Sequence, residues 1–204
     1  MQLGDTRIAL DAPPGFTDTT TMGSPRLQEL AESISSPSNR ILLFAISDAD
    51  LRRFTVGDSP DLRRYMVATT PSALERERAG TASFQRLVDD SMRDLGTLAP
   101  QDRDVAEHLL KQQPGAMSYL SELRREASVV SVLQGTRLPP KQQGNIFYVP
   151  QEKPQFVLSS TTLMVARGKA LHLSVYTRYE APADLAWIRG ITLRWIEDLQ
   201  RLNR

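Results

Sequence analysis

The C-terminal quarter of the chain changes hydrophobic period, and the change predicts three elements in a row. Phe156 to Ala166 and Ala170 to Tyr179 are long strand-like runs joined across Arg167-Gly168-Lys169. From Pro182 the apolar positions shift to helical spacing. At about 100° per residue, Leu185, Ile188, Ile191, Thr192, Trp195, Ile196, Leu199 and Leu202 fall within roughly 140°, while Arg194, Glu197 and Arg201 point away. Such a stripe needs a sheet to lie on, so the tail predicts a β-β-α unit with the helix as a clamp.

Upstream, Ile8, Leu10 and Ala12 alternate with Arg7, Ala9 and Asp11, predicting a half-buried strand over Thr6 to Ala12. Pro13-Pro14-Gly15 ends it, and Phe16 to Thr21 is the predicted return strand. Ser24-Pro25 followed by Leu27, Leu30, Ala31 and Ile34 predicts a helix from Pro25 to Ser35. The continuous apolar run Ile41 to Ile46 predicts a strand over Arg40 to Ser47 buried on both faces. A helical turn over Asp48 to Phe54 and a strand over Leu62 to Thr70 follow.

From Pro71 to Glu126 the pattern is helical. Phe84, Leu87, Val88, Ser91, Met92 and Leu95 form one stripe, with Gly96 as its stop; a second helix runs through Val105, Leu109 and Leu110, and a third through Met117, Leu120 and Leu123. Strands resume at Ser128 to Gln134 and Asn145 to Val149. The expected architecture is therefore a single α/β (α+β) domain over 1–204: a mostly antiparallel central sheet, helices packed on it, and a helical insertion at about 71–126.

Composition narrows function mainly by exclusion. A chain of 204 residues with 40% hydrophobic and 24% charged residues is long enough to bury a core without cross-links. It has no cysteine, which removes cysteine-ligated zinc, iron-sulfur clusters and thiol catalysis. Formal net charge is +1, so no global field draws the chain to nucleic acid or anionic lipid. No apolar run approaches the roughly 20 residues that span a bilayer. The start, Met1-Gln2-Leu3-Gly4-Asp5, lacks the regions of a secretory signal. A cytoplasmic protein and a mature exported domain both fit. Only four basic residues are lysines, Lys111, Lys141, Lys153 and Lys169, an arginine bias that suggests a GC-rich bacterial genome.

Five residues are candidates for chemistry or binding. Ser47-Asp48-Ala49-Asp50 follows an apolar strand, where haloacid-dehalogenase-type phosphatases carry an aspartyl nucleophile (here Asp48) and an acid/base partner (Asp50). That chemistry needs magnesium, later carboxylates and a lysine. Asp89-Asp90 lies within a helical pattern instead, and Leu-Arg-Arg replaces the glycine turn, so the favoured reading has Asp48 capping the next helical turn and Asp50 near its positive end. Arg52 and Arg53, with Arg63-Arg64, Arg76 and Arg78, suggest an anion site, but interspersed aspartates and glutamates favour local neutralisation. Trp187 sits at the edge of the C-terminal stripe, where it packs at the core edge or anchors a partner. His108 and His172 have no companions at metal-ligand spacing. No metal and no cofactor is expected.

The order of elements, with Ile8, Pro13, Gly15 and Phe16 in a Pro-Gly hairpin near the start, then a helix, central strands, a long hairpin and a closing helix, resembles the Mog1/PsbP-like α/β/α sandwich. Members of that fold are mostly non-enzymatic and bind a protein partner, such as a small GTPase or photosystem II, and many bacterial relatives are exported. The resemblance implies a non-catalytic binding or accessory protein of the bacterial envelope, periplasmic or otherwise exported. The alternatives are a phosphatase-like hydrolase using Asp48 and Asp50, or a small-molecule carrier with its pocket between sheet and helices.

Overall fold

The computed structural model describes all residues except 59, 94, 96–97, 100–103 and 140–153. A small hairpin, β1 (Gln2–Leu3) and β2 (Thr6–Arg7), opens the chain. Then come β3 (Phe16–Asp18), α1 (Pro25–Ser33), β4 (Asn39–Ser47), α2 (Asp48–Thr55) and β5 (Arg64–Pro71). A short 3-10 turn, Ser72–Leu74, precedes α3 (Thr81–Arg93) and α4 (Val105–Leu110). The remainder is β6 (Met117–Glu126), β7 (Val129–Arg137), β8 (Phe156–Ala166), β9 (Lys169–Tyr179) and α5 (Pro182–Leu202). The predicted stop at Gly96 and the predicted strand Asn145 to Val149, with Tyr148, lie outside the described residues.

Seven strands form one antiparallel sheet in the order β3-β4-β5-β9-β8-β7-β6. Alternation along its strands separates two cores. Met66 and Ala68 of β5 and Leu171, Leu173 and Val175 of β9 face α5, Leu109 of α4 and the N-terminal segment. Val67, between Met66 and Ala68, faces α1 and α2. Leu163 and Val130 face Phe84 and Val88 of α3. Leu163 is opposite His172, and His172 is opposite Thr69, so α1, α2 and α3 share one face and α4 and α5 the other. The architecture is mixed α+β with helices on both sides of the sheet.

The predicted clamp is in place. Ile188, Trp195, Ile196 and Leu199 are at most 1% exposed, and burying each such side chain stabilises by roughly 1.5–3 kcal/mol. Leu202, in the last turn, is exposed instead. Asp184 serves the first turn of α5: its carboxylate accepts the Glu180 and Ala181 N–H groups at 3.0 and 3.1 Å and an Arg64 N–H at 2.9 Å. Burial raises its pKa, but these donors outweigh burial and hold it below the ordinary carboxylate value.

Three sequence expectations are corrected. Of the strand expected over Thr6 to Ala12, only Thr6–Arg7 is paired, with Gln2–Leu3. The alternation beyond it is real, since Ile8 is buried, but α5 holds that segment. Asn203 exchanges hydrogen bonds with Ala9 at 2.9 and 2.8 Å, and the Trp195 indole donates to the Asp11 carbonyl at 2.8 Å. The return strand is β3, and it pairs with β4, Phe16 opposite Ser47.

The third correction concerns Met117, Leu120 and Leu123, which lie in a strand. The helices of the middle region therefore fall within 72–110 and do not reach Glu126. The register of β6 on β7 shifts between Tyr119 and Ser121 and again between Glu122 and Arg124. Each bulge adds one residue and resets the alternation, so Leu120 and Leu123, three apart, both pack against the α5-side core. Two bulges in a strand reproduce the spacing of a helix. They also kink an edge that would otherwise template pairing with another chain.

Gly135 of β7 lies at a close approach to the side chains of α4 and β6. A Cβ there would lie 2.9 Å from Leu109 Cδ1 and 3.0 Å from Leu120 Cδ1, so its absence lets α4 seat on the sheet.

Candidate functional site

Ser47, at the end of β4, has extended geometry (φ −61°, ψ 147°) and is the N-cap of α2. Its Oγ accepts the Asp50 N–H at 3.1 Å and donates to Asp50 Oδ2 at 2.9 Å, a reciprocal arrangement close to a capping box. The other Asp50 oxygen accepts the Asp61 N–H at 2.8 Å, pinning the loop after α2; Asp50 is only 5% exposed. Asp48 accepts the Thr17 hydroxyl at 2.7 Å and so ties β3 to α2. The cap is thus Ser47, not the expected Asp48.

The partners of a phosphoryl-transfer site are not gathered around this pair. Among the described residues no group of three or more histidine, cysteine, aspartate or glutamate side chains could hold a metal ion. Lys169 begins β9, whereas the β4 end carrying Asp48 aligns through Ile46 and Tyr65 with Tyr176, about seven residues or roughly 23 Å along that strand. Lys169 is fully buried. Its ammonium donates to the Glu75 and Glu77 carbonyls, each at 3.1 Å, and pairs with Asp5 at 3.1 Å. That arrangement fastens the β1–β2 hairpin and the loop after β5 to the tip of the β8–β9 hairpin, and Lys169, foremost through its hydrogen bond, lowers the Asp5 pKa.

Arg52 and Arg53 are exposed in the last turn of α2, where cations complement the helix dipole. Trp187 is half-buried. Phe16 lies 6.0 Å from its ring, and the Arg64 guanidinium sits 4.1 Å over it, itself held by Asp184. The tryptophan packs at the junction of β3, β5 and α5. The two histidines lie on opposite sides of the sheet, His108 in α4 and His172 on the α3 side. His172 Nε2 is buried with no hydrogen-bond partner, and burial lowers its pKa.

None of these residues lines a concavity between α1 and β4 with a volume of about 670 Å³. It exists because α1 is short and incompletely seated. Only Leu27 and Ala31 of its nine residues are buried, and the chain from β3 stays hydrogen-bonded to β4 only as far back as Phe44, whose carbonyl accepts the Thr19 N–H at 2.8 Å. The first half of β4, bulged between Ile41 and Leu43, therefore has an open side toward α1. The lining of the concavity mixes the apolar Leu27, Ala31, Ile41 and Phe44, of which all but Ile41 are at most 4% exposed, with polar residues that include Thr19, Thr20, Ser24, Gln28, Glu32 and Ser35. A concavity of this volume with mixed apolar and polar lining falls within the size range of small-ligand sites. Sequence reasoning passed over it because serines and threonines flanking a helix look like caps and turns. The sparse stripe of α1 was the signal present.

No protein-family model matches the sequence, and no curated protein matches it significantly. Among solved structures it is similar to the crystal structure of the Ran-binding protein Mog1p of Saccharomyces cerevisiae. That protein is 12% identical, the match covers 94% of this chain and 86% of that one, and the TM-score is 0.40.

Proposed function

We propose that this chain is a non-catalytic binding or accessory protein of the bacterial cell envelope, taking its ligand in the α1–β4 cleft. The observation that carries the reading is the contrast between that cleft and the aspartate pair. Both Asp48 and Asp50 carboxylates are occupied by internal donors that hold α2 and its loop. The cleft has a mixed apolar and polar lining and a volume of about 670 Å³ open to solvent. Export to the periplasm is part of the proposal, with a cytoplasmic location as its rival, and cell fractionation decides between them. No described helix is long and apolar enough to cross a membrane.

Native mass spectrometry of the protein purified without denaturant tests the binding reading, with a Thr20→Trp variant to fill the mouth of the cleft. A co-purifying mass is expected, and it should be lost in the variant. A magnesium-dependent phosphatase screen provides the opposing result. Turnover by the unmutated protein that disappears in Asp48→Asn would overturn the proposal.

A further inference from the structure

The α3 side of the sheet holds a titratable group that nothing completes. His172 of β9 sits between Thr69 of β5 and Leu163 of β8. Its Nε2 is closed off from solvent and has no hydrogen-bond partner among the described residues. An imidazolium in that position would bury a charge as well as an unpaired N–H.

The groups around it offer no counter-charge. Its neighbours across the strands are Thr69 and Leu163, and along β9 the same face carries Ala170 and Ser174. On α3 the charged Arg86, Asp89, Asp90 and Arg93 are exposed. In the loop before α3, Glu75 pairs with Arg40 and Arg78 with Asp5, while Arg76 and Glu77 are exposed. Lys169 is engaged by Asp5 and two carbonyls. The His172 pKa is lowered by burial, with no charged neighbour contributing.

The loop and the helix that follow β5 are held differently. The loop is fastened by Lys169 and by the Ala79 N–H, which donates to the Gly168 carbonyl at 2.8 Å. α3 is held by packing: Phe84 and Val88 meet Leu163, the residue paired with His172, and Val130. Among the described residues, the side-chain hydrogen bonds of α3 stay within the helix and the residue before it. Asp89 also acts on Arg125 of β6, whose principal partner is Glu122. Lifting α3 therefore breaks apolar contacts, whereas opening β9 breaks hydrogen bonds to two strands.

We propose that α3 is an acid-released flap: when His172 takes up a proton, α3 lifts from β7 and β8, hydrating the imidazolium and baring Phe84, Val88, Val130 and Leu163. The device is independent of what the α1–β4 cleft holds. In the open form the histidine returns to its ordinary value of 6.5, so the closed form is fully favoured above pH 6.5. Below pH 6.5 the ratio of closed to open falls by at most about tenfold per pH unit, until the lower pKa of the closed form is reached.

Hydrogen exchange of the ¹⁵N-labelled full chain, read as protection factors at pH 7 and pH 5, tests the flap. Amides of residues 84–92 should lose about tenfold in protection at pH 5, while β5, β9 and α5 keep theirs. His172→Gln and His172→Phe, one polar and one apolar, should each abolish that loss. Equal protection of α3 at both pH values overturns the inference, as does an equal loss across β5 and β9 or a loss that persists in either variant. If neither variant folds, the imidazole signals of His172 in the unmutated protein decide. Titration below pH 6.5 in step with the α3 amides supports the flap, and a midpoint at or above 6.5, or one without α3 shifts, overturns it.

Discussion

Two helices meet the same sheet from opposite sides, and only one of them closes on it. α5 has 21 residues, seven of them buried, and is tied down at both ends by Asp184 and Asn203. α1 has nine residues with two buried, and its one side-chain cap is a long 3.4 Å contact from the Leu27 N–H to Ser24. The closed side holds the largest apolar cluster, to which α5 contributes Ile188, Ile191, Trp195, Ile196 and Leu199. The open side keeps a cleft, because a stripe two residues long cannot draw the whole helix onto β4. The most deeply buried helix and the proposed binding cleft thus lie on opposite faces of one sheet.

That division is broken or sharpened by four measurements. Trp195→Ala should be the most damaging, removing a fully buried ring and its hydrogen bond to Asp11, at about 3–5 kcal/mol by denaturant unfolding. Leu27→Ala in α1 should cost less, about 2 kcal/mol, because the site already borders open space and relaxes more easily. Equal losses at the two positions would show α1 to be as much a clamp as α5.

The third measurement is pH dependence on the α1–α3 side. His172 has its pKa lowered from 6.5 by burial, so the folded state resists the proton that the unfolded chain takes up. Its contribution is fully present above pH 6.5 and is lost as pH falls from 6.5 toward the folded value, with a slope of at most about 1.4 kcal/mol per pH unit. His172→Leu should flatten the profile in that window, and an unchanged profile would show that other groups set it. The smallest effect is expected from Gly190→Ala, on the exposed side of α5. Its Cβ would meet nothing within 4 Å, so stability should rise by about 0.5–1 kcal/mol. A loss would reveal that this helix face needs close approach to something else.

The sequence was most legible where one element's pattern met one partner. The α5 stripe, the apolar run of β4 and the β8–β9 runs identified their elements within a residue or two of the observed bounds. It was misleading where a local irregularity imitated another period, as in β6, whose bulges at Leu120 and Leu123 look like helical spacing. Site residues were harder still. Asp48, Asp50 and Trp187 stood out by type, yet their side chains are engaged by Thr17, Ser47, Asp61, Phe16 and Arg64, drawn from separate elements. Lys169 looked like a turn residue, although it is a fully buried ammonium bridging three segments.

By itself the sequence determined which segments carry apolar faces, because hydrophobic period depends only on residue order and backbone geometry. It also determined the absence of cysteine chemistry and of a strong overall charge. The tertiary structure alone decided which faces meet, that β3 stops at Asp18, opposite Ala45 of β4, and that a gap beside α1 remains open. A cleft is a volume left unfilled between elements distant along the chain, so no stretch of residue order specifies it.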